Sequence, residues 1–240
     1  MSPMSRRDAL SLLAVTVAGG VIVPRAAIAQ DTLLLPGSDV CVITPETTEG
    51  PYYFDPALVR ADITEGRPGL PTRVRLQVVD EKCRPIENAR VDIWHCDATG
   101  LYSGYTGQLG GTDTSGEAFM RGTLFADSDG VVEFATIYPG WYPGRTPHIH
   151  FKVFLDEATL LTGQLFFPDD VSQRVYTSVA PYSERGGTQD TLNSNDGIAR
   201  RAGDASVATV EELPDSYLVQ MIIGVEPLGE FGGMSAPSSG

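Results

Sequence analysis

Histidine is scarce in this chain, with three in 240 residues, beside three cysteines and two tryptophans. None of Cys41, Cys83 and Cys96 sits in a thiolate metal pattern, so a structural zinc site built on cysteine is excluded. Basic residues are also short: 17 Lys and Arg stand against 31 Asp and Glu, for a formal charge of −14. Such a surface repels nucleic acid and anionic lipid, and neither is expected as a partner. Beyond the N-terminus no segment is apolar and long enough to span a membrane. The chain lacks internal repeats and any sign of a second domain, and its length suits one domain with an adequate core.

The one sustained apolar run follows Ser5-Arg6-Arg7-Asp8-Ala9-Leu10 and extends from Leu12 to Val23. Gly19-Gly20 interrupts it, and Ala27-Ile28-Ala29 supplies a small-x-small cleavage pattern before Gln30. Residues 1–29 therefore read as a twin-arginine export signal, and the product as periplasmic or secreted. That route carries folded proteins, often with a cofactor already in place. Removing the signal takes away three arginines and one aspartate and leaves the chain more acidic still. An exported location permits one disulfide with one cysteine left over. Cys83 lies in an expected turn and Cys96 at the far end of the returning strand, too distant to bridge, so Cys41 with Cys83 is the expected pair.

Short strands at regular spacing dominate the rest. Val74–Val79 is read as a strand, 80–88 as a turn and Ala89–His95 as the return strand. Phe119–Leu124 and Val131–Thr136 form a second expected pair about the turn 126–130. In that turn Asp127, Asp129 and Gly130 fall short of a calcium loop and read as turn residues. Leu160–Phe167 is the expected partner of His148–Phe154, Val171–Ser178 a short helix, and Tyr217–Val225 the last strand. Val40–Ile43 is a possible short strand, Gly107–Gly116 an exposed, mobile loop, and Ala180–Asp204 a long polar surface loop. The fold class is all-β, a sandwich of mostly antiparallel strands with long loops around a site. The expected organisation is an extension over 30–71, a sandwich over 72–228 and a disordered tail over 229–240.

Two of the three histidines stand in Tyr142-Pro143-Gly144-Arg145-Thr146-Pro147-His148-Ile149-His150. Side chains two apart on a strand share a face, so His148 and His150 project together while Ile149 points into the layer behind. Two imidazoles side by side on a strand make a preformed chelate. They leave the metal open; tyrosine narrows it. Tyr142 lies in a Trp-Tyr-Pro-Gly turn, and Tyr102 in a Gly-flanked turn just past strand 89–95, with Tyr105 a rival three residues on. A phenol titrates near 10, so only a strongly Lewis-acidic cation displaces its proton at neutral pH. Fe(III) does so readily, and two phenolates offset two of its three charges. His95, beside Trp94, is read as a core or supporting histidine.

On these residues the chain resembles the intradiol ring-cleavage dioxygenases, the group that includes catechol 1,2-dioxygenases and protocatechuate 3,4-dioxygenases. The matching pieces are Asp92-Ile93-Trp94-His95-Cys96-Asp97-Ala98, Gly100-Leu101-Tyr102-Ser103, Gly140-Trp141-Tyr142-Pro143, Arg145-Thr146-Pro147-His148-Ile149-His150-Phe151 and Gly163-Gln164-Leu165-Phe166-Phe167. The resemblance implies one non-haem Fe(III) held by Tyr102, Tyr142, His148 and His150. It implies cleavage of a catechol by O2 between the hydroxylated carbons to give a muconate. It further implies that the Tyr142 tyrosinate is displaced by substrate and serves as base, that Arg145 stabilises charge on the ring, and that Gln164 supports the centre. Two departures stand out. Only Pro143 and Gly144 separate Tyr142 from Arg145, where longer members carry an extra loop, and a long helical dimerisation region is absent; a homo-oligomer stays open. The segments 51–53 and 106–116 and the residues near Ala98 and Leu101 are expected at the entrance. Rival readings are a ferric carrier, a carbohydrate- or protein-binding sandwich with an incidental histidine pair, and a copper enzyme or hydrolase built on His148 and His150.

Overall fold

Apolar residues alternating at a period of two build two four-stranded sheets, packed face to face. The computed structural model describes residues 42–226 except Pro56, Glu157, Gly187 and Thr188, all within one compact unit. The expected export signal, Cys41 and the expected tail lie outside the described residues. One sheet has the order β4-β1-β8-β7, from β1 (Pro71–Val79), β4 (Val131–Ile137), β7 (Thr209–Leu213) and β8 (Ser216–Gly224). The other has the order β3-β2-β5-β6, from β2 (Arg90–Trp94), β3 (Arg121–Phe125), β5 (His148–Leu155) and β6 (Ala158–Phe166). Val74, Leu76, Phe134, Val219 and Ile223 of the first sheet meet Val91, Ile93, Ile149, Phe151 and Val153 of the second in one buried core. Each large aliphatic or aromatic side chain so buried contributes about 1.5–3 kcal/mol. The all-β sandwich is as expected, and β5 and β6 pair as the sequence predicts.

Both expected hairpins are corrected. β1 and β2 lie in different sheets, as do β3 and β4. β1 pairs instead with β4 and, in parallel, with β8, whereas β2 pairs with β3 and β5. The turns themselves form: Asp80 Oδ1 accepts from the amides of Lys82 and Arg84, and Asp127 Oδ1 from those of Asp129 and Val131. Turn chemistry specifies that the chain reverses; which sheet it re-enters is set by what the next strand can bury.

The loop expected over 180–204 contains α2 (Gly197–Ala202), whose N-cap Asp196 accepts from the amides of Ile198 and Ala199. Six residues are too few to carry a helical period. β7 was not expected either; its Thr-Val-Glu-Glu-Leu is a largely exposed edge strand with a weak apolar signal. α1 (Asp169–Ser178) forms where a helix was expected. Of Val40–Ile43, the described Ile43 makes a single bridge to Gly224. Cys83 is disulfide-bonded and Cys96 is a free buried thiol; the expected partner Cys41 lies outside the described residues. Among the described residues no helix is long and apolar enough to cross a membrane.

Candidate metal and substrate site

β5 sets the site. Ile149, Phe151 and Val153 enter the core, so His148 and His150 face outward, yet both are only 2% exposed because loops cover that face. Their Nε2 atoms stand 3.2 Å apart. His148 Nδ1 donates to the Thr146 carbonyl at 2.7 Å, which fixes the tautomer and turns the Nε2 lone pair into the site. His150 stacks on Trp94, its register neighbour on β2, with centroids 4.8 Å apart and planes 9° from parallel. Gly50 closes over it: a Cβ there would lie 3.2 Å from His150 Cε1. His150 Nδ1 is buried without a hydrogen-bond partner.

Two phenols complete the cluster. Tyr142 Oη lies 3.0 Å and Tyr102 Oη 3.4 Å from His148 Nε2, and the two oxygens are 3.5 Å apart. Donors about 2.1 Å from a shared centre stand about 3.0–3.5 Å from one another at bond angles near those of metal sites, and the separations of His148 Nε2 from His150 Nε2 and from both phenol oxygens fall in that range. Among the described residues no group of three or more His, Cys, Asp and Glu could hold a metal, so any ion here depends on the phenols. Tyr105 is not part of the set, since its hydroxyl donates to the Tyr53 carbonyl at 3.0 Å. His95 is a satisfied core residue, bonded through Nδ1 to the Cys96 carbonyl and through Nε2 to Thr136 Oγ1, each at 2.8 Å.

Electrostatics set what the four side chains can offer a metal ion. Burial drives the His148 imidazolium down to about 3, helped by Arg145, and holds His150 well below its ordinary value, helped by His148. Both imidazoles are therefore neutral at neutral pH, each with a lone pair free to bind a cation. Burial raises Tyr142 to about 12, helped by Cys96, and holds Tyr102 well above its ordinary value, helped by Tyr142. Without a cation neither phenol ionises; a strong Lewis acid is what makes them donors.

The two tyrosines are held differently. Tyr102 is 1% exposed and stacks on Tyr52 at 4.4 Å. Its backbone is clamped by Gln108, which accepts from Tyr102 N at 2.8 Å and donates to Tyr102 O at 2.7 Å, and by Thr114 Oγ1 at 2.7 Å. The glycine-rich loop expected to be mobile is thus pinned where it touches Tyr102, and Tyr52 and Gln108 bring segments 51–53 and 106–116 against its ring and its backbone. Arg121, opposite Trp94 on β3, fixes the next residue by donating to Ser103 Oγ at 2.8 Å and Ser103 O at 2.9 Å. Tyr142 is only partly buried and sits in a turn closed by Arg145 N to Tyr142 O at 3.3 Å.

Arg145 and Gln164 join the cluster. Gln164 is the register partner of His150 on β6 and fully buried. Its Oε1 accepts from Arg145 Nη2 at 2.5 Å and its Nε2 donates to the Thr48 carbonyl at 2.8 Å. Arg145 Nη1 lies 3.4 Å from His148 Nε2. Its Nε donates at 2.8 Å to Asp196, a residue with no distinguishing feature in the sequence. Burial alone would raise the Asp196 carboxyl, but the hydrogen bond and charge of Arg145 and the amides of Thr146 and Ile198 hold it below the usual carboxylate range.

The Dioxygenase family profile matches residues 48–184, which carry all six candidate side chains. The chain belongs to the intradiol ring-cleavage dioxygenase family. Its fold is similar to that of an intradiol ring-cleavage dioxygenase from Tetranychus urticae, with 33% identity, a TM-score of 0.72, and coverage of 78% of this chain and 96% of that one. It is 28% identical to a catechol 1,2-dioxygenase of Acinetobacter baylyi over 76% of this chain and 64% of that protein. It is 32% identical to a protocatechuate 3,4-dioxygenase beta chain of Burkholderia cepacia over 50% of this chain and 54% of that protein. The chain thus spans about half to two thirds of the length of these two curated relatives, whereas it covers nearly all of the Tetranychus chain.

Proposed function

We propose that this intradiol dioxygenase homologue holds one non-haem Fe(III) through Tyr102, Tyr142, His148 and His150, and uses O2 to open a catechol-type ring between its two hydroxylated carbons, giving a muconate-type product. The observation that carries the reading is that both phenol oxygens and the His150 Nε2 lie 3.0–3.4 Å from His148 Nε2, with the two oxygens 3.5 Å apart. When bound, the ferric ion supplies Lewis acidity and a template for both substrate oxygens.

The chain's residues have distinct parts. Tyr102, stacked and clamped, stays. Tyr142, partly buried in its turn, is the side chain free to give way, and its released phenolate oxygen accepts a substrate hydroxyl proton. A phenol whose proton is held up to about 12 by burial is a strong base once deprotonated. Arg145, with Nη1 beside the imidazole of His148, puts a fixed positive charge at the cluster, where it would favour negative charge developing on a bound ring. Gln164 holds that guanidinium from behind. Trp94 and Gly50 seal His150 from bulk water.

Colour tests the proposal. Phenolate-to-Fe(III) charge transfer should make the purified protein visibly coloured, and anaerobic catechol should shift the band. A colourless, iron-free protein rejects the metal assignment; a coloured protein that takes up no oxygen with any catechol identifies a ferric carrier instead. We also propose twin-arginine export to the periplasm or medium, supported by Arg6-Arg7 and the apolar run behind them. Replacing both arginines with lysine should retain the precursor inside the cell, and unchanged export would reject it.

A further inference from the structure

The link carrying Tyr142, Arg145 and His148 is short, with only Pro143 and Gly144 between Tyr142 and Arg145. A second segment, 190–196, binds along it. Asp190 Oδ1 accepts from Gly144 N at 3.3 Å, and Asn193 Oδ1 from Thr146 Oγ1 at 2.9 Å. Asp196 Oδ2 accepts from Arg145 Nε at 2.8 Å and Thr146 N at 3.0 Å. The segment has its own anchors: Asn193 Nδ2 donates to the Phe167 carbonyl at 2.7 Å, and Asp196 Oδ1 caps α2. The Asp196 side chain is 1% exposed. All three residues lie beyond the family match, which ends at 184.

We infer that 190–196 is a clasp on the ligand-bearing loop and that Asp196 is a positioning residue for Arg145. The catalytic consequence rests on the dioxygenase reading. A guanidinium is a planar fork, so fixing two nitrogens fixes the third. Asp196 holds Nε and Gln164 holds Nη2, which leaves Nη1 directed at His148 Nε2. Without the carboxylate, a long side chain that is already 18% exposed turns toward solvent, and its charge leaves the ring.

The test uses the full-length protein and the variants Asp196→Asn, Arg145→Gln and their double. Asp196→Asn keeps the size and a capping oxygen. It should lower kcat at least about tenfold with KM for catechol within about twofold and iron content unchanged. In the Arg145→Gln background the same substitution should change kcat by less than about twofold, because its target is gone. The anaerobic catechol spectra of the three variants should coincide. Wild-type kcat in Asp196→Asn, or losses that multiply in the double variant, would overturn the assignment. Thermal melting separates this from the dioxygenase reading itself. Each single variant should lower Tm, and the double should be no less stable than the weaker single, since it removes a buried charge together with its partner. If wild type took up no oxygen with any catechol, the function would fall while the clasp stood on that melting result; additive Tm losses would overturn the clasp even in an active enzyme.

Discussion

The histidines and the tyrosines of the site arrive by different physics. His148 and His150 are fixed by one strand: a period of two puts both on one face, and the core behind them, through Ile149 and Phe151, holds that strand in register. Tyr102 and Tyr142 sit on separate turns 40 residues apart, and each is aimed by contacts made elsewhere. Gln108, Thr114 and Tyr52 hold the first, and the 138–147 link under the clasp holds the second. The imidazoles are ready as neutral donors, while the phenols become donors only against a cation. A rigid half that binds and a looser half that can yield is what a centre needs if substrate is to displace a ligand.

Four experiments probe this contrast, beginning with the largest effect. Removing one imidazole should abolish the chelate: His148→Ala purified under iron should retain less than about a tenth of the wild-type iron by metal analysis, as expected for loss of a first ligand. Near-normal iron would mean the strand pair is not the anchor. Tyr142→Phe should keep the metal but shift the charge-transfer band and slow turnover by about 10²-fold or more, the scale of a lost acid–base group. Equal iron loss in both variants would erase the distinction between a fixed and a yielding half.

Acid should strike the histidine half first. Burial holds the folded values of His95 and His148 down to about 4 and about 3, with His150 also depressed. The unfolded chain therefore takes up protons below about 6.5 that the folded chain refuses, and stability falls with pH at up to about 1.4 kcal/mol per unit for each histidine. Metal-free protein should show Tm dropping steeply between pH 6.5 and 4 (a flat profile would contradict neutral buried imidazoles). The smallest effect tests the strand support itself. A Cβ at Gly163 would lie 2.1 Å from Phe151 Cζ, directly behind His150. Gly163→Ala should cost about 1–3 kcal/mol in denaturant unfolding, as overpacking does, with iron affinity affected less than stability.

Legibility followed the same division. The His-x-His face, the β5–β6 pairing and the turn residues at Asp80 and Asp127 were readable because each rests on neighbours in the chain. The choice of Tyr102 over Tyr105 was readable from its motif, but the reason, Tyr105 donating to the Tyr53 carbonyl, lies 52 residues away. The two false hairpins came from turns that reverse the chain without naming a sheet. Asp196 gave no signal: a lone aspartate before a six-residue helix looks like any polar loop residue until Arg145 is seen against it. Trp94 stands out in the sequence only as part of a motif, and its stack on His150 depends on strand register rather than on spacing.

The sequence by itself determined that His148 and His150 share one face of a strand, because side-chain alternation is a property of bonded geometry and holds wherever the strand goes. Only the tertiary structure decided that two distant phenols meet those imidazoles, that water is kept from them, and that a segment past the family match grips Arg145. Those outcomes depend on which surfaces can be buried together, a choice made by packing across the whole sandwich.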